Sequence, residues 1–179
     1  MQTKNKKMSR LFTIEVIKLK SGYHFYEFEI GNKFFEECEE SEIKGGKLKA
    51  SVGIERASSH ADLTISIDGT VDLTCDRCLE VFSFPVCCTN RLLVKFGSVH
   101  DESDPDIIIV PANEHEIDLR SSLYEYILLS LPIRRIHPDD EKGKSTCNPV
   151  MLKKLKEYIV EDRKTENPEW AKLKELVKN

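Results

Sequence analysis

Between residues 48 and 96 the chain alternates apolar and polar side chains over long stretches. Leu48, Ala50, Val52 and Ile54 alternate with Lys49, Ser51, Gly53 and Glu55, and Leu63, Ile65 and Ile67 with Asp62, Thr64 and Ser66. Val71, Leu73 and Cys75 share one parity. After a turn, Phe82, Phe84, Val86, Cys88, Leu92, Val94 and Phe96 share another. Successive side chains of a strand point to opposite faces, so a period of two predicts strands buried on one face. Residues 57–60 read as a hairpin loop. Asp68-Gly69 reads as a second reversal, because Gly accepts the positive φ of a tight turn. Cys75-Asp76-Arg77-Cys78 reads as a third. The pattern predicts at least four strands in an antiparallel meander with one wet face. Pro85 has no N–H for a ladder, which predicts an edge position or a bulge there.

Flanking segments add fewer regular elements. Residues 23–30 alternate and are rich in aromatics, predicting a strand, and residues 11–19 suit a first strand. Residues 36–42 are dense in carboxylate and read as a solvated loop or short helix, or as a docking patch for a basic partner. Gly45-Gly46 is a turn signal. Asp101, Glu102, Asp104 and Asp106 read as a mobile acidic loop, and residues 107–110 as a short buried strand ended by Pro111. From Asp118 the period changes. Leu119, Leu123, Tyr126, Ile127, Leu128, Leu129 and Leu131 predict a helix apolar round much of its circumference, capped by Asp118 and stopped by Pro132. Asn148 or Pro149 opens a second helix through residues 158–159. Asn167-Pro168 opens a last one bearing Trp170, Leu173, Leu176 and Val177.

The fold class that follows is α+β: an antiparallel β-sheet or partly open barrel of about six strands, covered by the apolar helix and two further short helices. Residues 11–147 form the α+β domain, 148–179 a C-terminal helical extension, and 1–10 a flexible basic arm with Lys4, Lys6, Lys7 and Arg10.

Composition narrows the function classes. At 179 residues, 40% hydrophobic and 32% charged, the chain suits one soluble domain with an appendage. No apolar run is long enough to span a membrane, and no apolar leader follows the basic N-terminus, so a cytoplasmic location is expected. Six cysteines are then expected as thiols or metal ligands. A net charge of −4 gives no global basic footprint for nucleic acid. Direct RNA contact requires a local basic patch, whereas a basic protein partner fits the overall sign.

The Cys75–Cys78 pair has three readings. A redox dithiol sits between a strand and a helix, where the helix N-terminus lowers a thiol pKa, but here a strand follows. A zinc knuckle supplies two thiolates from one turn and needs two more ligands. Reduced, partly buried thiols that shape a tight turn are the plainest reading. His137 and Cys147, both in the polar segment after the apolar helix, are the chemically reasonable partners for a Cys75, Cys78, His137, Cys147 site holding structural zinc. Cys88 has core parity, and Cys87 points the other way. No Gly-rich phosphate loop or nucleophile elbow is present. His24, His60, His100 and His115 read as ordinary surface or strand residues. Glu125 reads as a carboxylate partnered by Arg77 or Arg134.

Cys75-Asp76-Arg77-Cys78-Leu79 after its strand resembles the Cys-x-Arg-Cys-Leu signature of the YceD-like, large ribosomal RNA subunit accumulation proteins. Ile117-Asp118-Leu119 and the Glu125 to Pro132 stretch resemble that family's Asp-Leu, Glu and Leu-x-Leu-Pro helix, and His137 also stands at a familiar position. Some relatives carry a cysteine cluster after the Leu-Pro. Here His137 and Cys147 stand in that region, with Asp139 and Asp140. The resemblance implies a non-enzymatic cytoplasmic factor supporting accumulation of large-subunit ribosomal RNA. Its expected partners are precursor RNA, a ribosomal protein or a processing factor. Arg77, expected exposed at the hairpin tip, and Arg134, Arg135 and His137 are the expected partner contacts, with structural pairing of the arginines to Asp76, Glu125 or Asp139 as their rival role. The alternative class is a metal-dependent or thiol enzyme using Cys75 and Cys78.

Overall fold

The computed structural model describes residues 9–38, 41–97, 100–104, 106–111 and 116–158. The basic arm up to residue 8, the helix expected after Asn167-Pro168, Ile159 and His115 lie outside them. The fold is α+β, as the alternation indicates. An open six-stranded sheet has the order β2-β3-β4-β5-β7-β6, with β2 Gly22–Ile30, β3 Gly45–Arg56, β4 His60–Thr74, β5 Val81–Gly97, β6 Asp101–Asp104 and β7 Ile107–Pro111. A separate two-stranded ladder joins β1 Thr13–Ile14 to β8 Ile117–Asp118. The helices are α1 Asn32–Glu36, α2 Arg120–Ser130 and α3 Pro149–Tyr158.

The buried face follows the period of two. Ala50, Val52 and Ile54 of β3, Leu63, Ile65, Ile67, Val71 and Leu73 of β4, and Leu92 and Val94 of β5 are each at most 1% exposed. Fully burying such a side chain contributes about 1.5–3 kcal/mol. Helix α2 lays Leu123, Tyr126 and Ile127 into this core. Asp118 accepts the Arg120 N–H at 3.0 Å, so it serves the helix start from one position before the cap residue Leu119.

Several expectations need correction. Asp68-Gly69 is no reversal: β4 runs straight through it, pairing Gly69 with Leu48 on one side and Val86 on the other, so the meander has three long strands instead of four. Gly45-Gly46 opens β3 and is not a turn between elements. Residues 11–19 are two 3-10 turns, Ser9–Phe12 and Val16–Lys18, around the two-residue β1. The acidic stretch expected as a loop contains β6, which forms one edge of the sheet, where charged side chains discourage further pairing. The β-branched run of β7 lies between β6 and β5, and it runs parallel to β5, so the sheet is mixed. Pro85 stands opposite Thr70, while β7 reaches only Leu93 to Gly97 of β5. Among the described residues, no strand flanks Pro85 on its other side.

Candidate metal centre

Strands β4 and β5 lean together at residues 75–80, where the chain turns tightly. The Cys75 N–H donates to the Glu80 carbonyl, and the Leu79 N–H to the Cys75 carbonyl, both at 2.9 Å. This turn puts Leu79 at φ 63, a left-handed conformation that L side chains rarely adopt. It also points both sulfurs inward: Cys75 is 0% and Cys78 2% exposed.

The second half of the site comes from the strap of residues 131–148. Pro132 ends α2, and the strap runs back over the hairpin tip. Asp140 then reverses it, its carboxylate accepting the N–H groups of Lys142 and Lys144 at 2.9 and 2.7 Å, with Gly143 at φ 73. A bridge between Asp139 and Ser145 closes this loop, and Thr146 Oγ1 donates to the Pro138 carbonyl at 2.6 Å. The reversal brings Cys147 back beside His137. Asn148 then caps α3, its Oδ1 accepting from the Val150 N–H at 2.9 Å, while its Nδ2 donates to Glu80 Oε1 at 2.6 Å. The residue that starts the helix thus also ties it to the hairpin.

Cys75, Cys78, His137 and Cys147 converge. Their ligand atoms all lie within 4.8 Å of one another. Cys75 Sγ is 3.8 Å from Cys147 Sγ. His137 Nδ1 is 3.4 Å from Cys78 Sγ and 3.8 Å from Cys147 Sγ. The Phe82 ring lies against the imidazole with centroids 4.8 Å apart. Burial pushes the Cys75 thiol up, but the backbone N–H groups of Cys78 and Arg77, with the His137 ring and N–H, outweigh it and bring the thiol down to about 6. Cys78 goes the other way. Burial raises it, and the Cys75 and Cys147 side chains add to the rise against the N–H groups of Glu80 and Asn148. Three thiols and one imidazole are donors that zinc accepts, in the number a closed tetrahedral site takes.

The arginines are placed differently from expectation. Arg77 is half-buried, not exposed, and donates from Nη1 to Ser145 Oγ at 3.2 Å. Arg135 pairs with Glu42 at 2.6 Å, and its peptide is clipped to Asp76. Arg134 is exposed, and Glu125 is exposed as well; among the described residues no ion pair joins Glu125 to Arg77 or Arg134. Asp76, named as a structural partner for these arginines, does hold Arg135, but through the Arg135 backbone N–H and carbonyl and not the guanidinium. A cleft of about 760 Å³ lined by Phe12, Lys33, Lys47 and Lys49 among others shares no residue with the cysteine cluster.

The profile of one protein family, Large ribosomal RNA subunit accumulation protein YceD, matches residues 63–177, more than half of the 179-residue chain. The chain belongs to the YceD family. The matched segment holds all four clustered residues, from the hairpin that bears Cys75 and Cys78 to the strap that bears His137 and Cys147. The YceD description links the chain to large-subunit ribosomal RNA accumulation. No curated protein and no solved structure matches the chain. Among the described residues, no helix is long and apolar enough to cross a membrane.

Proposed function

We propose that this YceD-family chain is a non-enzymatic cytoplasmic factor that supports accumulation or maturation of large-subunit ribosomal RNA by holding a basic ribosomal protein. The observation that carries the reading is the family match over residues 63–177. Charge supports the choice of partner. The solvent face of the sheet bears Glu27, Glu29, Glu55, Asp62, Asp68 and Asp72 against Lys47, Lys49, Arg91 and Lys95. One of those lysines is already held by Glu27 at 2.7 Å. Such a face repels a phosphate backbone and attracts a cationic protein. Arg134, exposed on the strap, is the remaining candidate for a phosphate contact, with Arg77 and Arg135 engaged within the fold.

The thiol-enzyme alternative draws less support from the site. Cys75, Cys78 and Cys147 are all buried, and a closed set of donors suits a structural centre better than one that must admit substrate.

Affinity capture with the full chain at low and high salt, identifying RNA and protein together, tests the reading. Large-subunit ribosomal proteins retained after nuclease treatment are the expected catch. RNA captured without protein, and lost steeply as salt rises, assigns the binding to direct phosphate contact instead. Recovery of neither class overturns a role at the ribosomal subunit.

A further inference from the structure

We propose that Cys75, Cys78, His137 and Cys147 bind a single zinc ion as a structural centre that fastens the strap of residues 131–148 to the β4–β5 hairpin. The inference rests on the cluster itself and holds whether or not the partner is a ribosomal protein. A tetrahedral zinc, with Zn–S near 2.3 Å and Zn–N near 2.0–2.1 Å, sets its sulfurs about 3.8 Å apart and each sulfur about 3.5 Å from the imidazole nitrogen. The chain has 3.8 Å for Cys75 to Cys147, 3.4 Å for Cys78 to His137 and 3.8 Å for Cys147 to His137. These match three of that tetrahedron's six edges, and the other three pairs lie within 4.8 Å.

Packing alone does not account for the cluster. Thiols are weak hydrogen-bond donors and acceptors, so three of them facing an imidazole form a poor network. Aliphatic side chains fill such a space without polar atoms. Cys75, Cys78 and Cys147 are each at most 3% exposed, so water does not satisfy the sulfurs either. A soft donor set of this composition excludes magnesium and calcium, and with all four positions filled by protein the ion serves structure.

The mechanical consequence follows from chain order. The ligands are contributed by two segments 59 positions apart at Cys78 and His137. The ion replaces weak sulfur contacts with bonds, so it locks the loop reversed by Asp140 and the α3 start at Asn148 against the hairpin.

The full chain, expressed with added zinc and purified under reducing conditions without chelator, is examined by native mass spectrometry and by exchange with cobalt. One zinc per chain and a thiolate-type cobalt spectrum are expected. Metal is expected to be lost in Cys78→Ser and Cys147→Ser and kept in Cys87→Ser, whose sulfur is exposed and off the site. Should the first two variants fail to fold, wild-type labelling decides: N-ethylmaleimide must spare Cys75, Cys78 and Cys147 until a strong chelator is added. A metal-free wild type that takes up neither zinc nor cobalt overturns the proposal. So does a Cys75–Cys147 disulfide formed under reducing conditions, metal retained equally in every variant, or labelling indifferent to chelator.

Discussion

Asp76 and Arg135 hold each other by two hydrogen bonds, one in each direction: the Arg135 N–H donates to Asp76 Oδ2, and the Asp76 N–H donates to the Arg135 carbonyl, both at 2.7 Å. The first uses a charged acceptor, a kind of bond that contributes about 1.5–3 kcal/mol, less where water competes, as at exposed Asp76. Asp76→Ala should therefore cost about 1 kcal/mol. Urea denaturation measures the loss. Hydrogen exchange at the Arg135 amide should quicken more than exchange in the β4–β5 ladder. Equal quickening at both would show global destabilisation and no local clip.

Leu79 pays for the shape of the knuckle. Its φ of 63 costs an L residue roughly 1–2 kcal/mol, and its side chain is 67% exposed, so little packing compensates. Glycine removes the strain but gives back about 0.5–1 kcal/mol in unfolded-chain entropy. Leu79→Gly should leave stability unchanged or raise it by up to about 1 kcal/mol. A clear loss in the denaturation midpoint would mean that the exposed leucine makes a contact worth more than its strain.

What was legible in the sequence was local. The hairpin over Cys75 and Cys78 was readable because both strands keep an unbroken period of two up to the turn. The acidic β6 was not, since carboxylates at a sheet edge look the same in sequence as carboxylates in a loop. No periodicity announces that β7 returns parallel to β5, because direction depends on the connection. Leu129 looked like core by type, yet it is 79% exposed, as α2 turns only one side to the sheet. For the cluster of three cysteines and one histidine, residue chemistry singled out His137 and Cys147. Their convergence depends on the Asp140 reversal and on the clip at Asp76, which are tertiary relations. Asp68-Gly69 misled for a physical reason, since the dipeptide that favours turns also suits a place where two backbones press together.

That crowding gives a sharp contrast between two glycines. Gly69, at φ 147, would aim a Cβ at 2.3 Å from the Lys47 carbonyl oxygen and 2.6 Å from Leu48 Cα, both backbone atoms of the neighbouring strand. Gly143, at φ 73, has nothing within 4 Å. Gly69→Ala combines left-handed strain with a clash that only strand movement relieves, and should cost on the order of 2–4 kcal/mol. Gly143→Ala pays the backbone term alone, about 1 kcal/mol. Urea midpoints of the two variants compare them directly. A Gly69→Ala protein as stable as Gly143→Ala would refute the close approach of β3 and β4 at this point.

Cys87 offers a test of the sheet's solvent face. Its thiol is exposed and stands opposite Asp68 in the β4–β5 register. A hydrogen bond to the Asp68 carboxylate, reinforced by its charge, pushes the thiol above its ordinary value. A raised thiol pKa means less thiolate at mildly alkaline pH, and thiolate is the species that alkylates. Cys87 should therefore react with iodoacetamide more slowly than an unstructured cysteine despite its exposure. Asp68→Asn removes the charge and should speed the reaction severalfold. The gap should be widest below the thiol's titration and close as pH rises through it, because both proteins are then fully ionised. Mass-spectrometric rates at Cys87 across that range provide the measurement. A pH-independent ratio would point to a steric effect of Asp68 and away from its charge.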